Sequence, residues 1–147
     1  MQNQTTLNSM ADFIEKHAAT WQELSEAIWQ KPELGYEEAA ASAKLAEMLQ
    51  QQGFKVQKPY CGLPTALRAE YGRGTPVFAI AAEYDALPEI GHGCGHNLIA
   101  AAALAAAVAL KELLARENIP GRLVLLGTPA EESKGGKVKM LEQHCLD

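Results

Sequence analysis

The sequence predicts an α/β domain with a largely parallel central sheet. Apolar residues recur at helical spacing in several separate segments. Between these segments lie two short, continuous apolar runs, residues 77–82 and 122–126, of the kind found in strands covered on both faces. Helical and strand segments alternate along the chain, which is the pattern of a layered α/β architecture. The 147 residues, 48% hydrophobic and 21% charged, are enough for one domain with a sizeable core and do not have the composition of a disordered chain.

The elements follow in order. Phe13, Ile14, His17, Trp21, Leu24 and Ile28 make one face of a first helix, with Ser9 as its N-cap and Pro32 as its stop. Trp21 and Trp29, with Phe13 and Ile14, read as core. Residues 34–36 are a connector. A second helix covers residues 37–52, with a stripe of Ala41, Leu45, Met48 and Leu49, and Gly53 suits the position just past its end. Residues 54–56 and 65–71 are strand candidates. The turn Gly72-Arg73-Gly74-Thr75 predicts a hairpin between neighbouring strands. After the strand at 77–82 comes a glycine-rich loop, 83–95. Asn97 is placed to cap a long helix over 98–116. The strand at 122–126, a loop over 127–136 and a helix from about residue 137 complete the chain.

Composition narrows the function. A net charge of −5 with no basic block argues against nucleic acid or an anionic membrane as a partner. The apolar stretch 98–110 is mostly alanine and shorter than the roughly 20 residues needed to span a bilayer, so it reads as a buried core helix. Cys61, Cys94 and Cys145 are odd in number and lack framework spacing, which predicts reduced thiols in a cytoplasmic compartment. The first residues lack the basic and apolar regions of a secretory signal.

The chemistry concentrates in two clusters, each following an apolar strand. The first runs from Glu83-Tyr84-Asp85 to Gly91-His92-Gly93-Cys94-Gly95-His96-Asn97, and the second is Glu131-Glu132. Ligand sites in open α/β sheets lie at the carboxyl ends of the strands, so two adjacent parallel strands would bring both clusters to one rim. Cys94 and His96 on a glycine loop can approach one metal, and zinc takes both donor types. Adjacent carboxylates point in different directions, so one of the Glu131 and Glu132 pair can hold metal while the other takes a proton from bound water. Asp85 or Glu83 suits the orienting of a ligating histidine through its second ring nitrogen. Each motif also has a plainer reading: a buried cysteine, a helix-start histidine, a solvated acidic loop, strand-end polarity. His92 reads as loop or supporting structure. Gly91-x-Gly93-x-x-His96 lacks the third glycine of a dinucleotide fingerprint, Gly136-Lys137 lacks a P-loop's first glycine, and no G-x-S-x-G occurs.

Taken in order, Glu83-Tyr84-Asp85-Ala86-Leu87-Pro88, Gly93-Cys94-Gly95-His96-Asn97 and Gly127-Thr128-Pro129-Ala130-Glu131-Glu132 resemble the successive motifs of the aminoacylase/carboxypeptidase metallopeptidases. The Cys-Gly-His form resembles the amidohydrolase branch, and residues 83–97 look closest to its aminobenzoyl-glutamate hydrolase and Xaa-Arg dipeptidase groups. The resemblance implies a three-layer, zinc-exopeptidase-like α/β domain with a mostly parallel sheet and two divalent ions. Thiolate favours zinc among these ions, with manganese left open. By position, Cys94, His96 and Glu132 match metal ligands, Glu131 the general base, and Asp85 the supporting carboxylate. The implied reaction is hydrolysis of the amide bond of an N-acyl amino acid or dipeptide, by an enzyme that is a homodimer at full length.

Asn97 stands where many members have aspartate. The family's further histidine ligands and its inserted dimerisation domain find no counterpart in residues 1–147, and His144 is out of motif. The expectation is therefore the N-terminal part of a longer catalytic domain, with weak metal binding and little turnover by itself. A non-catalytic metal-binding or interaction module is the alternative.

Overall fold

The computed structural model describes residues 2–132 and 134–146. Helices α1 (Gln2–Lys16), α2 (Ala18–Gln30) and α3 (Ala39–Gln51) precede strands β1 (Lys55–Gln57), β2 (Leu67–Arg73) and β3 (Val77–Ala82). Helix α4 (His96–Arg116), strand β4 (Gly121–Gly127) and helix α5 (Gly136–Glu142) follow.

The first expected helix is two helices. At His17 the helix breaks: the His17 amide is shared between the Phe13 and Ile14 carbonyls at 3.3 and 3.2 Å, its Nδ1 lies 3.0 Å from the Phe13 carbonyl oxygen, and the Trp21 indole takes the Ile14 carbonyl at 2.9 Å. Ser9 lies inside α1 rather than capping it, and its hydroxyl accepts from Arg116. The apolar stripe continues across the break, so periodicity alone reads as one helix. Trp21 is core as expected, but Trp29 is 59% exposed. Gly53 does follow α3 in the left-handed region, at φ 81°.

The class is α/β, but the sheet is mixed rather than mostly parallel. Its order is β1-β2-β4-β3, antiparallel at the first two pairings and parallel only between β3 and β4. The hairpin expected at residues 72–75 does not form between β2 and β3, because β4 inserts between them. A tight turn reports a change of direction, not which strands then pair.

Leu67, Ala69, Leu123, Leu125 and Ala82 face the helices, forming one core with Leu24, Ile28, Leu45, Leu49, Leu104 and Val108. The alanines of α4 let that helix lie close against α2 and the sheet. At 21 residues α4 is long and apolar enough to cross a membrane by composition, longer than the sequence reading allowed. Its Ala100, Leu104, Ala107 and Val108 are nonetheless buried in the core. The opposite face of the sheet carries Arg68, Glu70, Val77, Ala79 and Ala81, so the described residues form two of the three expected layers. β3 is not covered on both faces either: it is the sheet's edge, with Val77 and Phe78 exposed.

α5 packs apart from that core, its Met140 against Leu63 and Ala66. Cys61 and Cys145 form a disulfide here with Cα atoms 6.0 Å apart, within the usual reach. This corrects the expectation of three reduced thiols and removes the cysteine-based support for a reducing compartment. The two cysteines are 84 residues apart, a proximity that spacing could not reveal. Cys94 is the free cysteine.

Candidate metal centre

Strands β3 and β4 end level, with Ala82 opposite Gly127. Thr128 extends the pairing, its amide and hydroxyl reaching the Ala82 carbonyl at 2.8 and 3.3 Å. Two polar arms leave this shared end, residues 83–85 and residues 129–132.

Tyr84 fixes the first arm. It is fully buried, and its hydroxyl donates to the Thr65 carbonyl at 2.6 Å. Burial, then the charges of Glu38 and Asp85, pushes the phenol well above its ordinary value and keeps it a donor. Neighbours in extended backbone point the other way, so anchoring Tyr84 in the core turns Glu83 and Asp85 together toward the rim.

His96 is the first residue of α4, delivered by Gly95 in the left-handed region at φ 78°. Glycine, not Asn97, stands at the helix start. Asn97 is buried one position inside and donates to Ser25 Oγ at 2.9 Å. His96 Nδ1 lies 2.9 Å from the Asp85 carbonyl oxygen and 3.1 Å from Asp85 Oδ1. Both are acceptors, which assigns the proton to Nδ1 and leaves Nε2 as a bare lone pair in the neutral ring. Nε2 then faces Glu83 Oε2 at 3.3 Å, Glu132 Oε1 at 3.6 Å and Glu131 Oε2 at 3.7 Å. Donor atoms of Glu83, His96 and Glu131 lie within 4.8 Å of one another. Three carboxylates around an imidazole lone pair repel one another, and a divalent cation at their centre would reverse the sign of every term. The donor set fits such an ion.

Asp85 also joins the two arms, its Oδ2 accepting the Glu132 amide at 3.0 Å. Cys94 lies at the same rim and is exposed. Its hydrogen bond to Glu132 raises the thiol pKa most, followed by burial and the charges of Glu132, Glu131 and Asp85. Without a cation the thiol keeps its proton, and ligation would require its loss. Glu83 carries a second partner, an ion pair with Lys137 of α5. His92 is buried near Trp29, with ring centroids 6.4 Å apart. Burial lowers its pKa, the charge of His96 adding to the effect.

The structure thus gathers Asp85, Cys94, His96, Glu131 and Glu132 at one rim. Glu83, which the sequence offered only as a strand-end carboxylate, belongs to the tightest cluster; its alternation about Tyr84 was the available signal. Lys137 and Glu38 were missed. Glu38 sits in a polar, glycine-containing stretch that reads as a helix start, and nothing local announces a buried carboxylate. A larger groove, ≈ 610 Å³ and lined by Tyr71, Arg73, Leu114 and Ile119, lies at the other end of the sheet and carries none of this chemistry.

Comparisons with known proteins agree with the geometry. Residues 79–147 match the model of Peptidase family M20/M25/M40. The chain is 43% identical to an Xaa-Arg dipeptidase of Mus musculus over 93% of its own length and 35% of the relative's. It is 35% identical to one of the chains that make up the p-aminobenzoyl-glutamate hydrolase of Escherichia coli K12, over 92% of this chain and 32% of that protein. Among solved structures, a Bacillus subtilis protein described as a dinuclear metal-binding peptidase of the M20 family superposes with a TM-score of 0.78 at 26% identity. That match covers 90% of this chain and 41% of the other. The chain spans about a third of the length of the curated relatives it matches, and over residues 79–147 it is similar to Peptidase family M20/M25/M40.

Proposed function

We propose that this chain supplies the metal-holding rim of a hydrolase that cleaves the amide bond of an N-acyl amino acid or a dipeptide. The observation that carries the reading is His96: Nδ1 is locked on Asp85, and Nε2 is open toward three carboxylates. Cys94, His96 and Glu132 would hold a divalent ion, with Glu83 within reach of the same point. The thiolate favours zinc. The dinuclear description of the Bacillus subtilis peptidase supports a pair of ions. Bound metal supplies Lewis-acid polarisation of a carbonyl and a lowered pKa for water.

The chain's own residues do the rest. Asp85 fixes the His96 tautomer and, through the Glu132 amide, the second arm. Glu131 is the more exposed of the paired glutamates and is free to accept a proton from water and return it to the leaving amine. The names of the relatives, a dipeptidase and an aminobenzoyl-glutamate hydrolase, support small amide substrates with an amino-acid leaving group.

Zinc titration by calorimetry tests this. The wild-type chain should take up Zn²⁺, and Asp85→Asn should weaken the affinity by about 10–100-fold, the usual consequence of removing a histidine's orienting partner. Cys94→Ala should weaken it too. Isotherms for Asp85→Asn and Cys94→Ala that overlay the wild type, or a wild type that takes up no metal, would sink the proposal. Hydrolysis of N-acyl amino acids or dipeptides by residues 1–147 at ordinary enzyme rates would overturn the expectation of little turnover by this chain alone.

A further inference from the structure

We propose that residues 33–38, at first sight only the connector between α2 and α3, form a clamp that sets the spacing of the two carboxylate arms, with Glu38 as its positioning residue. The proposal rests on the metal-site reading above and assigns a cause to that site's geometry.

Glu38 is fully buried at the start of α3. The N-cap position normally holds a short polar side chain that caps the helix; Glu38 stands there and makes no capping bond. Glu33 does that instead, its carboxylate accepting from the amides of Ala40 at 2.9 Å and Ala41 at 2.9 Å. Released from capping, Glu38 Oε1 accepts the Ala130 amide at 2.7 Å. Ala130 immediately precedes Glu131, is buried, and sits in the left-handed region at φ 56°. That conformation is strained for a residue with a Cβ and persists where the surroundings hold it. Glu38 supplies such a hold, on the very amide whose orientation aims the next side chain.

Other contacts of the segment act on the same loop. Tyr36 donates its hydroxyl to the Lys134 carbonyl at 2.9 Å, and Lys134 Nζ donates to the Gly35 carbonyl at 2.8 Å. A Cβ on Gly35 would lie 2.9 Å from Ala130 Cα and Cβ, so the backbones approach as closely as glycine allows. The segment also grips the first arm: the Ala86 amide donates to the Glu33 carbonyl at 2.8 Å, and Leu34 forms a parallel bridge with Ala86. Thr65 completes the connection, its carbonyl taking the Tyr84 hydroxyl and its side chain lying beside Glu38. One short segment therefore touches the residue after Asp85 and the residue before Glu131. The second oxygen of Glu38 is buried without a hydrogen-bond partner among the described residues. The carboxyl therefore acts on the loop through one acceptor contact, Oε1 to the Ala130 amide.

Two readouts on the full chain test the clamp. The first is Co²⁺ titration, following the ligand-field and thiolate charge-transfer bands that report Cys94 and His96 coordination. The second is amide exchange at Ala130 in the metal-free chain. Glu38→Gln keeps the acceptor and should match the wild type in both. Glu38→Leu removes it and should weaken Co²⁺ binding by about tenfold or more, with Ala130 exchanging faster. Tyr36→Phe, at a partly exposed site that endangers folding little, should shift both readouts the same way by a smaller factor, and it decides the question where the leucine variant does not fold. Wild-type behaviour in the leucine and phenylalanine variants overturns the clamp, as does a glutamine variant as impaired as the leucine one. If the wild type binds no Co²⁺, the metal reading fails, and Ala130 exchange alone then decides the clamp: faster in Glu38→Leu upholds it, unchanged overturns it.

Discussion

The two strands that carry the carboxylate rim are unlike each other. β4 lies between β2 and β3, hydrogen-bonded on both sides, with Leu123, Val124 and Leu125 buried. β3 is paired on one side only among the described residues, and its Val77 and Phe78 are exposed. Yet each contributes one arm. The arm from β4 inherits order from a buried strand and is then gripped by residues 33–38. The arm from the edge strand depends on one buried anchor, Tyr84, and on the grip at Ala86. An ordered site can thus be built on an edge strand when the loop beyond it, rather than the strand, is tied into the core.

Substitutions can break this contrast. Leu125→Ala should cost about 2–5 kcal/mol, because the fully buried side chain leaves a cavity in the core. Phe78→Ala, at 44% exposure, should cost no more than about 1 kcal/mol. Urea melts of the two proteins check the difference, and equal costs would mean that β3 is as well supported as β4.

The anchor comes next in size. Tyr84→Phe leaves the buried Thr65 carbonyl without its phenol partner and should cost about 1–3 kcal/mol. Because the first arm hangs on this bond, residues 83–85 should also become more open to exchange while residues 129–132 hold. Uniform loosening of both arms would erase the proposed asymmetry.

The smallest effect is a change in pH slope. Burial raises the Glu38 carboxyl above its ordinary value of 4.5, so the folded chain holds that proton more tightly than the unfolded chain. The stabilisation is complete below about pH 4.5 and is lost as pH climbs through the raised folded value. Glu38→Gln fixes the uncharged form, so its melting temperature relative to wild type should rise with pH across that window. Parallel curves would show that Glu38 does not gain a proton on folding.

Much of the rim was legible because its chemistry is written in local order. Cys94-Gly95-His96 needs its glycine wherever the chain folds, and Glu131-Glu132 follows an apolar run. Glu83 was half legible, since strand alternation places it beside Asp85 but not beside Nε2 of His96. Glu38 was illegible: its partner is 92 residues away, and its own neighbourhood reads as a helix start, where a glutamate is unremarkable. The Cys61–Cys145 bond failed for the same reason. The break at His17 was hidden differently, by a hydrophobic period that continues through a change of axis.

By itself the sequence determined the α/β class, most of the helix and strand segments, and several of the polar residues that the structure gathers at one rim, because periodicity, glycine conformational freedom and side-chain chemistry act over a few neighbours. The tertiary structure decided which strand lies at the edge, which strands pair in parallel, and that a connector grips both arms. Those outcomes depend on the closing of long loops, where many pairings satisfy the same local pattern and only the packing of the whole core selects among them.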